Sequence, residues 1–507
     1  MRRIDDLDEE MSNARLQSFF KPLSTAGVLM ASMLKIIALF FCFSSLGFAD
    51  FNADLEKRLQ QKIKQSDIKS DELAIYVSSG DKYRTTPLFS LNAEKAVIPA
   101  SLSKIVTAGA ALAELRPGTK FETRMMTTAD MNARTLKGDL YLVGQGDPGF
   151  VSESMWNLVN EFVRNQITVI EGDIVVDDTW FDAIRRDPSR EESEVDRAYN
   201  SPIGAMSFNW NAVNVFVRPG AKEGDAAQVF ADPENAYIKV VNTAKTVATN
   251  KSTQLSVERV ESREKGFLGD EIRVSGQIAR SSLEKVFYKG ITKPDLWSGF
   301  NLKAFLERRD VSVTGTIRVG KVPSSARILA RVESQSVEKM VKDMMKYSNN
   351  YVAEMLVKQI AATKVSPPGS IPIGMQKVRQ YIQTSGIRSG LEVENPSGLT
   401  RKNKFQAKAL HDYLVALHGQ FDIFAEGLSA YPLAGIDGTL ERRMRGTPAQ
   451  GWVRAKTGLL TGVSGLAGYA GRKDGQLLTF VFLFNGRADK GGSVRQLFDD
   501  LAVTLVQ

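Results

Sequence analysis

Short alternating runs and longer one-faced apolar runs divide this 507-residue chain into three textures. Near the start, FNADLEKRLQQKIKQ carries its apolar residues at helical spacing, and strand-like ELAIYVSS and PLFSLN follow around a polar turn at Gly80-Asp81. IPASLSKIVTAGAAL then predicts a small-residue helix, which Arg116-Pro117-Gly118 stops. From about Lys120 to Val322 the runs shorten and alternate: KFETRMMTT, GDLYLVG, TVIEGDIVVDD, AVNVFVRPG, AYIKVVN, EIRVSGQIA and VSVTGTIRVG predict β-rich material. Helical spacing returns with SVEKMVKDMMKYSNNYVAEMLVKQIAA. The chain closes on strand-like GLAGYAGR and QLLTFVFLFNG and an amphipathic helix from Ser493.

The early and late strands predict one mostly antiparallel sheet with helices packed on it, an α/β unit interrupted by a long insertion. The expected boundaries are a discontinuous α/β domain at 50–119 and 323–507, and an inserted β-rich region of two nested domains at 120–322.

The first 49 residues are read as leader and signal peptide. From Gly27, GVLMASMLKIIALFFCFSSLGFAD has a lysine, a short apolar core and small residues before a break, so export to the periplasm is expected, with cleavage after Ala49. The acidic opening suits a signal poorly, so Met33 competes with Met1 as initiator. The core after Lys35 is short for a membrane span, and a retained anchor is the alternative. Cys42, the only cysteine, lies in that core, so the mature chain would have none.

An apolar fraction of 43% and a charged fraction of 24% are those of a folded soluble protein. The leader is charge-balanced, so the mature chain keeps the net +8. That charge suits weak association with anionic cell-wall polymers or phospholipid surfaces. No basic run interleaved with aromatics occurs, so nucleic acid is not an expected partner.

Ser101 and Lys104 stand one helical turn apart at the start of the small-residue helix. A serine hydroxyl is a weak nucleophile until a base takes its proton, and a lysine serves once desolvation or a positive neighbour lowers its pKa. S-x-x-K recurs, as at Ser66, Ser262, Ser282 and Ser336, but only the Ser101 copy is followed by an apolar, small-residue helix that would be buried. A capping serine with a snorkelling lysine is the competing explanation. Ser348-Asn349-Asn350 interrupts two apolar helical segments, and an inter-helix turn would explain it equally well. Lys456-Thr457-Gly458 is the only K-T-G and opens a strand-like, glycine-rich stretch; the alternative is an exposed strand lysine.

In this order, S-x-x-K, S-x-N and K-T-G resemble the signature of penicillin-recognising serine enzymes. Nearly half the chain separates the first motif from the second. With GDLYLVGQGDP, IEGDIVVDDTWFD, YNSPIGAMSFNWNAVNVFVRPG and AKTGLLTGVSGLAGYAG, this resembles the low-molecular-mass class C penicillin-binding proteins, a D-alanyl-D-alanine carboxypeptidase/endopeptidase family. The resemblance implies the β-lactamase/transpeptidase-like fold, peptidoglycan stem peptides as substrates, β-lactams as covalent inhibitors, and no cofactor or metal. It implies Ser101 as the acylated nucleophile, Lys104 as its base, and Ser348 and Asn350 for proton transfer and substrate-amide binding. Lys456 and Thr457 would take the terminal carboxylate on the strand of Gly458. The backbone N–H groups of Ser101 and Leu459 would form the oxyanion hole. Asp147 would reach from the insertion to the amino end of a peptidoglycan diamino acid. Leu459 stands where the family has threonine, and NPSGLTRKN from Asn395 replaces a DGSGLSR-like segment.

Three other readings compete. GQGDPG, Gly144 to Gly149, matches a dinucleotide-binding loop between a strand-like and a helical run, against which stand Asp147 and Pro148. His411 and His418 lack metallopeptidase spacing and need long-range help to form a Ser-His-Asp triad. Within the fold, Tyr347-Ser348-Asn349 reads as the Y-x-N of a β-lactamase, and a non-catalytic wall-binding or sensor protein is a further alternative.

Overall fold

Leu477–Asn485, LLTFVFLFN, is buried along nearly its whole length. A strand with such a continuous apolar run has both faces covered. It lies at the centre of a five-stranded sheet in the order Thr85–Leu91, Leu73–Gly80, Leu477–Asn485, Val463–Gly471, Val453–Leu460. All four pairings are antiparallel, so strands from the two ends of the sequence make one sheet. Helices Ala407–His418 and Gly491–Val506 pack on it. The computed structural model describes residues 54–81, 84–190 and 196–507. The chain divides into two units, Met1–Lys57 and Arg58–Gln507, and the features below belong to the second. The expected signal peptide, its cleavage after Ala49, Cys42 and Met33 lie outside the described residues. Among those described, no helix is long and apolar enough to cross a membrane.

The helix Ser103–Leu115 is buried on almost every side. Its small residues permit this: a Cβ on Gly109 would stand 2.3 Å from the Tyr413 hydroxyl. It ends where Arg116 takes φ 73°, ahead of Pro117. Beside it run Val337–Lys346 and Asn350–Lys364. The second is buried all round, as suits a helix at the centre of a core.

Residues 122–333 carry four further sheets, several with parallel pairs, such as Leu140–Gly144 beside Ile174–Asp177. Strands Gln228–Asp232, Lys245–Val247, Gln254–Glu261 and Lys285–Gly290, and helix Pro294–Glu307, were not foreseen from the pattern. That helix buries polar Asp295, Ser298 and Asn301 among its apolar residues, which blurs its periodicity. One cluster of buried apolar side chains surrounds the Ser103–Leu115 helix and another lies within residues 125–332.

Arg190 and Glu354 join these regions. The guanidinium meets the carboxylate at 2.7 and 2.5 Å, with Arg190 3% and Glu354 0% exposed. Arg190 also donates to Asn200 Oδ1 at 2.8 Å. Removing one partner leaves an uncompensated buried charge. Arg190→Leu should therefore lower the unfolding free energy by roughly 3–5 kcal/mol in urea titrations, and adding Glu354→Gln should recover most of the loss.

Candidate active site

Ser101 sits on a single turn of 3-10 helix, Ala100–Leu102, that feeds directly into Ser103–Leu115. Ala100 has φ 49°, a left-handed conformation that disfavours a Cβ-bearing residue. The surroundings hold it there: Ser103 Oγ donates to the Ala100 carbonyl at 3.0 Å, and Asn403 Nδ2 donates to Ser103 Oγ at 2.8 Å. Gly398, at φ 76°, lies against the same carbonyl; a Cβ there would come within 2.0 Å of it.

Lys104 is 0% exposed, so it does not snorkel. Its Nζ lies 3.0 Å from Ser101 Oγ, 2.6 Å from Asn350 Oδ1 and 2.6 Å from the Ser397 carbonyl. Burial drives its pKa well below the usual lysine value, aided by the charge of Lys456, while Glu354 acts in the opposite sense. By contrast, the lysines of four other S-x-x-K copies, Lys69, Lys265, Lys285 and Lys339, are exposed.

Ser348 follows the first of the two adjacent helices and takes φ 57°. Lys456, fully buried on the strand Val453–Leu460, donates to Ser348 Oγ and to the Thr457 carbonyl, each at 2.8 Å. Burial lowers its pKa to about 7. Asn349 caps the following helix by accepting from the Val352 N–H at 3.2 Å. Asn350 faces Lys104 and donates to the Tyr199 carbonyl at 3.1 Å. Tyr347 is 72% exposed. The pair aimed inward is therefore Ser348 and Asn350, not Tyr347 and Asn349.

Gly458 is needed for close approach, since a Cβ would stand 2.7 Å from the Pro99 carbonyl. The strand that carries it is an edge of the sheet; Leu433 bridges its start at Arg454, and the K-T-G part beyond lies at the edge where an extended peptide can add. Thr457 Oγ1 donates to Thr439 Oγ1 at 2.9 Å, and Leu459 is 58% exposed. Ser101, Ser348, Asn350 and Leu459 line one cleft of about 690 Å³, together with Tyr199 and the 398–401 loop. That loop is ordered by Asn395, whose Oδ1 accepts from the N–H groups of Ser397 and Gly398. Asparagine at 395 thus supplies a compact turn where the family segment differs.

Asp147 is placed elsewhere. It is 4% exposed, accepts from the Gly149 N–H at 2.7 Å, and lines no part of the cleft. Burial raises its pKa to about 7. Its carboxylate fills the turn where a dinucleotide phosphate would have to sit, and Gly146 packs against Phe181, so GQGDPG is a structural loop. His411 does find long-range partners: Ser78 Oγ at 2.6 Å and Asp412 Oδ1 at 3.1 Å. Ser78 and His411 are both buried against the sheet, away from the cleft residues. Ser397, Tyr199, Arg190 and Glu354 were missed from the sequence. A lone glutamate inside the apolar run YVAEMLV was the one available signal.

Lys456 makes stability depend on pH. Below about 7 it is charged in folded and unfolded chains alike, and desolvation opposes folding in full. As pH rises towards the ordinary lysine value of 10.5, only the unfolded chain stays protonated and the penalty fades. Lys456→Met should raise stability by a few kcal/mol near pH ~6 and by little near pH ~10, read from urea midpoints across pH. Separately, Gly398→Ala should slow penicillin labelling of Ser101 at least about tenfold while leaving the far-ultraviolet circular dichroism unchanged, because the new Cβ displaces the Ala100 carbonyl.

A family model described as D-Ala-D-Ala carboxypeptidase 3 (S13) matches residues 55–504. Among curated proteins, the chain is 31% identical over 435 residues to a D-alanyl-D-alanine carboxypeptidase of an Actinomadura species, covering 83% of this chain and 79% of that one. It is 25% identical over 398 residues to D-alanyl-D-alanine carboxypeptidase DacB of Haemophilus influenzae, covering 78% and 82%. Among solved structures, penicillin binding protein 4 of Haemophilus influenzae superposes with a TM-score of 0.73 at 22% identity, covering 88% of this chain and 98% of that one. At that identity the superposition speaks for the fold alone, which is the penicillin-recognising fold expected from the motifs. The chain belongs to the D-Ala-D-Ala carboxypeptidase 3 (S13) family.

Proposed function

We propose that the chain is a serine DD-peptidase acting on peptidoglycan stem peptides outside the cytoplasmic membrane, with Ser101 as nucleophile. The observation that carries this is the 3.0 Å contact between Ser101 Oγ and a fully buried lysine amine. A neutral Lys104 can give its two N–H bonds to Asn350 Oδ1 and the Ser397 carbonyl, leaving its lone pair for the Ser101 proton. Ser101 Oγ attacks the carbonyl carbon of the penultimate D-Ala, and the tetrahedral oxyanion is held by the Ser101 and Leu459 N–H groups. Collapse breaks the C–N bond. The leaving amine takes a proton through Ser348, which Lys456 contacts, and D-alanine departs. Water then attacks the Ser101 ester, with Lys104 as base, and restores the enzyme.

Lys456 and Thr457 would receive the terminal carboxylate. The edge strand pairs with the substrate backbone, and Asn350 takes its side-chain-proximal amide. A D-Ala–diamino acid cross-link presents the same scissile carbonyl, so endopeptidase action uses the same steps. β-Lactams enter as acylating inhibitors, because their carbonyl opens onto Ser101 without a departing fragment. The net charge of +8 favours weak contact with anionic wall or membrane surfaces.

Release of D-alanine from a stem pentapeptide should fall by at least about 10³-fold in Ser101→Ala, and mass spectrometry should map the penicillin adduct to the Ser101 peptide. Retained turnover would remove Ser101 from this role. Rapid hydrolysis of penicillin would point to a β-lactamase, and complete inertness of the wild type to a binding protein.

A further inference from the structure

A second cavity, of about 540 Å³, opens beside the cleft and shares Tyr199, Ser348 and Asn350 with it. Its size falls in the range of ordinary ligand sites, roughly 300–1,000 Å³. Four aromatic side chains face it while remaining largely exposed: Tyr199 at 49%, Trp210 at 48%, Tyr288 at 60% and Tyr347 at 72%. Asparagines 209, 214, 349 and 350 and the carboxylates of Glu153 and Asp232 supply the polar lining. No lysine or arginine lines it among the described residues, although the chain carries net +8.

The backbone that presents Trp210 is strained. Asn209, Trp210 and Asn211 take φ of 48°, 53° and 53° in succession. Asparagine tolerates the left-handed region, but a bulky tryptophan rarely enters it. Two side chains impose the turn. Asn209 Oδ1 accepts from the Ser152 N–H at 3.0 Å, and its Nδ2 donates to Ser152 Oγ at 3.0 Å. Asn211, fully buried, donates to the Pro202 carbonyl at 2.9 Å and to Ser207 Oγ at 2.8 Å. Strain that is held in place to expose an apolar ring beside a reactive centre is a mark of a functional position.

We infer that this cavity is a carbohydrate subsite that holds a stretch of the glycan strand next to the stem peptide being cut. Aromatic rings stack on the C–H faces of hexoses, and asparagine and carboxylate groups take hydroxyl and N-acetyl hydrogen bonds. A stem peptide carries free carboxylates and would need a cation here; an N-acetylhexosamine chain with its lactyl group amidated is neutral. The position fits the strand whose peptide supplies the amine of a cross-link, since the cavity starts at Ser348, on the side where the leaving amine departs in the proposed reaction. The inference rests on that reading for the glycan's identity but not for its test.

The test is titration of the full wild-type protein with the tetramer of N-acetylglucosamine, followed by tryptophan fluorescence and calorimetry. Saturable binding is expected, weakened at least about tenfold in Trp210→Ala and several-fold in Tyr288→Ala. Tyr288 is exposed on strand Lys285–Gly290 and has no strained backbone, so its variant reports even where Trp210→Ala folds poorly. Absence of binding, binding unchanged in both variants, or saturation by a free diamine or stem pentapeptide in place of the oligosaccharide would overturn the subsite. No step needs turnover, so failure of the Ser101→Ala experiment and failure of this one are separate results.

Discussion

Two fully buried lysine amines lie near one another at the base of the cleft, and the local structure is organised around making that tolerable. An isolated ammonium in a protein interior is expensive, and a second one beside it raises the cost. Lys104 meets it with three oxygen partners: Ser101 from the preceding turn, and Asn350 and Ser397 from distant segments. Lys456 has Ser348 and the Thr457 carbonyl. Both amines respond to burial by giving up protons more readily, and a readily deprotonated amine is what a serine nucleophile requires. The energetic penalty of burial and the chemical usefulness of the site therefore have one origin.

Glu354 stands in the same interior and would undo the effect if left alone, because its negative charge favours the protonated form of Lys104. Arg190 offsets it. This guanidinium pairs with Glu354 and acts on Lys104 in the opposite sense, so the pair weighs on the amine less than the carboxylate alone would. Arg190 comes from the middle of the sequence, as does Tyr199, whose carbonyl receives the Asn350 amide and so fixes which way its Oδ1 points. Residues from this middle stretch thus do more than border the cleft. They act on the charge balance around Lys104 and on the orientation of Asn350, one of its partners.

How much of this was readable follows from the range of each interaction. Alternation and helical spacing are local, and they marked both strands of the N-terminal hairpin, the small-residue helix and the two final strands close to where they lie. Burial of the run after Ser101 singled out one S-x-x-K copy among several, and the exposed lysines at Lys69, Lys265, Lys285 and Lys339 agree with that choice. What was not readable depends on pairs far apart in sequence. The Ser397 carbonyl carries no side-chain signature, and nothing in the local pattern ties Arg190 to Glu354 across 164 residues. Asp147 was misplaced because a motif identifies a loop, not the side on which its carboxylate falls; the adjacent Gly149 N–H claims it. The same long-range rule applies to His411, whose serine partner is 333 residues away.

The departure at Leu459 shows how a missing group in sequence need not be missing in space. The family's threonine at this position would place a hydroxyl at the far end of the K-T-G strand, and leucine removes it while keeping the backbone N–H. Yet the Thr457 hydroxyl is in contact with a second one, that of Thr439, at 2.9 Å. Thr439 lies on the short 3-10 turn Gly438–Leu440. The preceding Asp437 is fixed by Lys346 at 2.6 Å and by the Leu433 N–H at 2.8 Å, so the turn is braced from two directions. Gly438, at φ 58°, sits so near the Lys346 carbonyl that a Cβ would come within 2.6 Å, which ties the turn to the helix preceding Ser348. A pair of hydroxyls therefore persists along the K-T-G strand, one from the motif and one from a neighbouring turn.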